Sequence, residues 1–144
     1  MIKIAHRGNT QGPNPEKENS PAYILDSIDK GFDCEIDLWR INNSLFLGHD
    51  GPEYEINEAF LFGSTSKLWI HCKNLDALHF SLEHRDVFNS FWHQNDAHTL
   101  TSHGYIWTYP GQAITSKSIL VDLKPEALSR VKLGLFGLCA DYLQ

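Results

Sequence analysis

His6-Arg7-Gly8, Glu18-Asn19-Ser20-Pro21, Cys34-Glu35-Ile36-Asp37 and Gly48-His49-Asp50 follow one another near the start of the chain. These side chains are suited to phosphate chemistry. Glu35 and Asp37 are separated by one residue in an apolar run, so on a strand they point the same way. Cys34, Ile36 and Leu38 then face a packed layer on the other side. Paired buried carboxylates repel unless a positive charge lies between them, and a hard cation is the simplest answer. The competing reading is a half-exposed strand with polar residues toward solvent. His6 and His49 each come just after an apolar stretch. A lone histidine there is more often structural. Two, beside an arginine and a carboxylate pair, can take and give protons near neutral pH. Cleaving a phosphodiester needs both acts, and the sequence does not say which histidine is the base. Arg7 is either a fork for phosphate oxygens or an ion-pair partner of Glu18 or Asp37. Glu18 and Asn19 either contact the metal site or shape the loop, and Asn19 could equally cap the first helix.

The elements that would position these groups follow from hydrophobic pattern and turn residues. Residues 2–5 read as a first strand, followed by a long polar loop over 9–17. Ser20-Pro21 signals a helix start, and Gly31 its end. Residues 32–38 form a second strand, and Asn42-Asn43 turns a hairpin over 40–47. A short helix is expected at 54–62, strands at 68–72, 87–92, 105–108, 119–123 and 135–139, and helices at 75–84 and 125–132. His98 and His103 fall in loops, while His79 and His84 lie on a surface helix. Strands alternating with helices predict βα units and a parallel sheet. The expected fold is one domain over residues 1–144: a reduced TIM-type (β/α) barrel of about seven mostly parallel strands with a thinned helix layer.

The net charge of −6 argues against a nucleic-acid partner, which normally meets a basic face. No apolar run approaches the ~20 residues of a membrane span. No signal peptide is expected at the N-terminus. Cys34, Cys72 and Cys139 are an odd number without metal-site spacing and read as small buried hydrophobes. A cytoplasmic protein is expected.

The ordered motifs resemble those of the glycerophosphodiester phosphodiesterase family, within the phospholipase-C-like phosphodiesterases. The resemblance is specific over residues 6–50: His6-Arg7-Gly8, Glu35-Ile36-Asp37 and His49-Asp50. Shorter matches follow at Asn89-Ser90-Phe91, Trp107-Thr108 and the stretch ending in Asp141. It implies that Glu35 and Asp37 hold one divalent metal ion (Mg, Ca or Mn), with Asp50 in support, and that His6 and His49 are the acid and base. It also implies that a neighbouring substrate hydroxyl attacks first, giving a cyclic phosphate. Where the family has E-x-K, with a further metal-binding glutamate, this chain reads His71-Cys72-Lys73. Imidazole suits Mn²⁺ or Zn²⁺ better than Mg²⁺ or Ca²⁺. Either His71 is a third ligand or it contacts the phosphate and the metal keeps two protein ligands; His71 is favoured at the site over its rival Asp122. Lys73 either neutralises phosphate or pairs with a carboxylate, and Trp107 either lines a substrate mouth or caps the core.

The expected activity is metal-dependent hydrolysis of a small glycerol- or polyol-type phosphodiester. The alternative is a phosphate- or polyol-binding module without turnover, favoured by the short chain and the missing glutamate. A third reading, a structural interaction protein, leaves the constellation unexplained.

Overall fold

The computed structural model describes residues 1–131 and 134–144. Its strands are β1 (Ile2–His6), β2 (Asp33–Ile41), β3 (Ser44–Leu47), β4 (Tyr54–Ile56), β5 (Leu68–Cys72), β6 (Asn89–Phe91), β7 (His98–Leu100), β8 (Ile106–Thr108), β9 (Ser118–Val121) and β10 (Gly137–Ala140). Its helices are α1 (Pro21–Asp29), α2 (Glu58–Phe62), α3 (Leu75–Glu83) and α4 (Ala127–Arg130). Parallel pairing runs in the order β6-β5-β2-β1-β10-β9-β8. The β3–β4 hairpin continues antiparallel from the far half of β2, and β7 lies antiparallel on β8. No ladder joins β6 to β8 among the described residues. Residues 101–102 cross that seam instead: the Ser102 amide donates to the Ser90 carbonyl at 2.8 Å, and the Ser90 amide to Ser102 Oγ at 2.9 Å.

This corrects the expected fold. The sheet is mixed, ten-stranded and curled into a half-barrel rather than a reduced TIM-type barrel. The four helices among the described residues have nine, five, nine and four residues, too little to form a helix layer. The physical reason is chain length between strands. Residues 92–97 and 109–117 join strands through turns and bends, with no room for a packed crossover helix. The expected helix at 54–62 divides into β4 and α2, and His98 stands in β7 rather than in a loop. The expected helix at 125–132 is α4, and its last residue, Lys132, lies outside the described residues.

Side-chain alternation divides the core in two. Cys34, Ile36 and Leu38 pack with Ile24 of α1 and with Ala77 and Phe80 of α3 on the outer face. The hollow of the sheet is filled by Ile4, Trp69, Phe91, Trp107, Ile119 and Cys139. Trp107 stacks on Phe91 with ring centroids 4.5 Å apart. Each such ring contributes on the order of 2–3 kcal/mol by burial, so this cluster is a firm floor. Two residues beyond that floor, each inner strand face emerges at the C-terminal rim, where the chemistry gathers.

Candidate functional site

Period two and parallel register place the rim residues. His6 follows Ile4, His71 follows Trp69, His93 follows Phe91, Tyr109 follows Trp107 and Asp141 follows Cys139, each by one alternation. Register pairs His6 with Glu35 and Asp37 with His71, so four groups meet at one end of the sheet. Two backbone devices complete the rim. Arg7 (φ 54°) and Asn19 (φ 63°) adopt left-handed conformations, uncommon outside glycine, and the Asn19 amide donates to the Arg7 carbonyl at 3.1 Å. At Gly8 (φ 92°) a Cβ would lie 2.7 Å from the Tyr23 ring, so only glycine lets the chain turn against α1.

Glu35 (3% exposed) and Asp37 (0%) are buried side by side. Burial first, then the Asp37 charge, lifts the Glu35 pKa above its ordinary value, against the pull of His6, His71 and Arg7. Burial also opposes ionisation of Asp37, but hydrogen bonds from His49 and His71 when their Nδ1 atoms carry a proton, together with the Arg7 charge, outweigh it and hold its pKa below the usual range. Asp37 Oδ2 accepts from Asn19 Nδ2 at 2.8 Å and faces Arg7 Nε at 3.1 Å. The Asp37 amide donates back to Asn19 Oδ1 at 2.9 Å. Asn19 is therefore a clamp on Asp37, not the cap of α1. Asp37 Oδ1 is buried and has no hydrogen-bond partner among the described residues.

His71 completes this group. Its Nε2 lies 3.0 Å from the His93 carbonyl, which only accepts, so Nε2 carries a proton. Nδ1 then faces Asp37 Oδ1 at 3.1 Å and Glu35 Oε1 at 3.8 Å. Ligand atoms of Glu35, Asp37 and His71 all lie within 4.8 Å of one another. Two carboxylates and an imidazole lone pair aimed at one point repel unless that point holds a proton or a metal cation. The orphaned Asp37 Oδ1 and the mixed O/O/N donor set fit a divalent cation, and the His93 carbonyl supplies the outer bond that orients a ligating imidazole. Asp122, the rival ligand, accepts its own turn's Lys124 amide at 3.2 Å and is not in this group.

Around it stand the cations and the histidines. Arg7 reaches Glu18 Oε2 at 3.3 Å as well as Asp37, so both ion pairs open to it are made. Glu18 also accepts from Asn9 Nδ2 at 2.8 Å and shapes the loop without touching the carboxylate pair. Lys73 Nζ lies 4.0 Å from Asp37 Oδ1. His6 Nδ1 is 2.8 Å from Asp141 Oδ1, which also accepts from Asn9 Nδ2 at 2.9 Å. Burial opposes charge on the His6 ring, but the Asp141 bond and the Glu35 charge prevail and raise its pKa. Nε2 is the nitrogen left for the cleft. His49, 43% exposed, receives Arg7 Nη2 on its Nδ1 at 2.7 Å. Guanidinium can only donate, so this contact puts the His49 proton on Nε2. Asp50 is 94% exposed and 3.7 Å from that nitrogen, outside the cleft.

His6, Arg7, Glu35, His49, His71 and Lys73 line a cleft of about 320 Å³ with His93, Tyr109 and Trp107. Trp107 is 4% exposed: it is the core cap, with one edge toward the cleft. Sequence reasoning missed Asp141, Asn9 and His93 as site residues. The signal for Asp141 and His93 was their place one alternation past an inner apolar residue. Burial, then His71, lowers the His93 pKa. A larger hollow of about 720 Å³ between the 10–17 loop and α1 collects no comparable group of titratable side chains. Among the described residues no helix is long and apolar enough to cross a membrane. Comparison with protein-family models, curated proteins and solved structures found no match to this chain.

Proposed function

We propose that the chain is a metal-dependent phosphodiesterase acting on a small glycerol- or polyol-type phosphodiester. The observation that carries this reading is that His6, steadied by Asp141, and His49 line one cleft with Glu35, His71, Arg7 and Lys73, where Glu35, Asp37 and His71 bring their ligand atoms together. The resemblance of residues 6–50 to glycerophosphodiester phosphodiesterases points the same way. A cleft of about 320 Å³ lies at the small end of ligand pockets and favours a compact diester over a lipid with acyl chains. Three buried thiols outside any disulfide fit the reducing cytoplasm assigned with this reading.

Glu35, Asp37 and His71 Nδ1 would hold the metal. When bound, it supplies Lewis-acid polarisation of a phosphate oxygen. Arg7 and Lys73 bind the other phosphate oxygens. His6 Nε2 takes the proton of the substrate hydroxyl next to the phosphate, while Asp141 holds the Nδ1 proton and steadies the imidazolium that forms. The freed oxygen bonds to phosphorus as the bond from phosphorus to the departing alkoxide breaks. His49 gives that alkoxide its proton. In the free protein Arg7 occupies His49 Nδ1, so turning Arg7 to the phosphate releases that nitrogen to be protonated. Substrate binding thereby arms the acid.

The test is hydrolysis of a panel of glycerophosphodiesters with Mn²⁺, Mg²⁺ or Ca²⁺ added to chelator-treated protein. Turnover that needs the cation, and is fastest with Mn²⁺ because of the imidazole ligand, is expected. Binding of phosphate without turnover on any diester would favour the non-catalytic module instead.

A further inference from the structure

The buried side-chain polar atoms without a hydrogen-bond partner among the described residues are Arg7 Nε, Asp37 Oδ1 and both ring nitrogens of His93. Arg7 Nε faces Asp37 Oδ2 in an ion pair at 3.1 Å, and Asp37 Oδ1 belongs to the metal group proposed above. His93 is not explained in this way. Its side chain is only 8% exposed, and it lines the cleft. Asp96 Oδ2 lies 3.8 Å from Nδ1, beyond hydrogen-bond reach. The ring is held by an edge contact with Tyr109, centroids 4.6 Å apart, and sits 6.2 Å from the His71 ring. A buried imidazole with neither nitrogen paired costs stability, and such groups persist where a ligand completes them.

We infer that His93 reads hydroxyl groups on the alcohol portion of the ligand, on the side of the Glu35–Asp37–His71 group where β6 and β8 end. The inference rests on the phosphodiester reading and adds its specificity residue. Phosphate oxygens only accept, and Arg7 and Lys73 already supply donors for them. A neutral imidazole offers one donor and one acceptor, which matches a hydroxyl that both gives and takes a hydrogen bond. Uncharged Gln94, Tyr109 and Trp107 line the cleft with His93, while Lys73 and the Asp96 carboxylate are charges that act on its ring. Tyr109 Oη donates to the Gln94 carbonyl at 3.3 Å and keeps its own lone pairs for a second hydroxyl. Trp107 backs the space with an apolar edge suited to the carbon skeleton of a polyol.

His93→Phe separates this role from support of the metal group, because the bond to His71 comes from the His93 main-chain carbonyl. The experiment is calorimetric binding of glycerol 3-phosphate and of propyl phosphate, in Mn²⁺, to wild-type protein and to the variant. The two ligands share the phosphate and differ in the hydroxyls. Wild type should prefer glycerol 3-phosphate by ~10-fold or more, the scale of one or two polar groups left unpaired. His93→Phe should erase that preference while leaving propyl phosphate affinity and thermal melting at or above wild type. Equal wild-type affinity for the two ligands, or a preference that survives His93→Phe, overturns the hydroxyl role and leaves the phosphate site standing. Equal loss of both ligands on His93→Phe makes the residue structural and overturns the role as well. Failure of wild type to bind either phosphate overturns the phosphodiester reading and this inference with it.

Discussion

At the scale of single residues, charge pairing decides which side chains work and which hold still. Glu35 has a raised pKa from burial beside Asp37. Its ionised form therefore opposes folding: the stability it allows is full below its unfolded pKa and is lost as pH rises through the folded value. Glu35→Gln removes that loss. In chelator at neutral pH the variant should melt at or above wild type, and added Mn²⁺ should raise the melting temperature of wild type only. A variant that melts lower without metal, or is still stabilised by Mn²⁺, contradicts the assignment. Asp37 has the opposite sign. Its lowered pKa means that its ionised form stabilises the fold above the unfolded value, and that this contribution fades as pH falls through the folded one. In the proposed reaction Asp141 acts through His6. With His6 as the proposed base, its raised pKa predicts a kcat/KM that climbs with pH through a value above the ordinary 6.5 as the ring loses its proton. Asp141→Asn should move that climb to lower pH and lower the plateau. An unmoved profile would show that Asp141 does not set the base.

At the scale of elements, the site depends on where strands stop and how loops turn back. The Gly8 turn joins β1 to the loop that carries Asn19 to Asp37. Gly8→Ala combines a left-handed φ with a Cβ 2.7 Å from Tyr23, and should cost more than ~1 kcal/mol in urea unfolding. A cost near zero would mean that the turn relaxes freely and does not position the rim. Much of the rim was legible in the sequence because period two needs no tertiary knowledge. The run Cys34 to Leu38 separates Glu35 and Asp37 from the outer core, and Trp69 predicts the side on which His71 emerges. Asp141 was harder to see. It meets His6 only because β10 closes against β1 from the other end of the chain. His93 follows a strand of three residues, and its ring has no partner that sequence spacing could suggest. The edge strands β4 and β7 were missed because Tyr54–Ile56 and His98–Leu100 are short and largely solvent-facing, with little hydrophobic pattern to read.

At the scale of the molecule, a curled sheet with little helix does the positioning. The aromatic floor of Trp69, Phe91 and Trp107 fills the hollow, and the cleft is what remains above it. Strands at 2–5, 68–72 and 119–123, each followed by a helical segment, led toward βα units. Elsewhere the chain builds β3, β4 and β7 and the turns at 92–97 and 109–117 instead. What survives from strand order is the gathering of strand C-termini, where the proposed proton transfers would take place. The most direct measurement is turnover of a phosphodiester that wild type cleaves, by His6→Ala and His49→Ala at saturating Mn²⁺. Each variant should lose ~10²–10⁴-fold in kcat with cation affinity little changed. A diester with a very good leaving group should partly rescue His49→Ala and not His6→Ala, since only the acid becomes dispensable. Near-wild-type rates in both variants, or rescue of His6→Ala alone, would contradict the account.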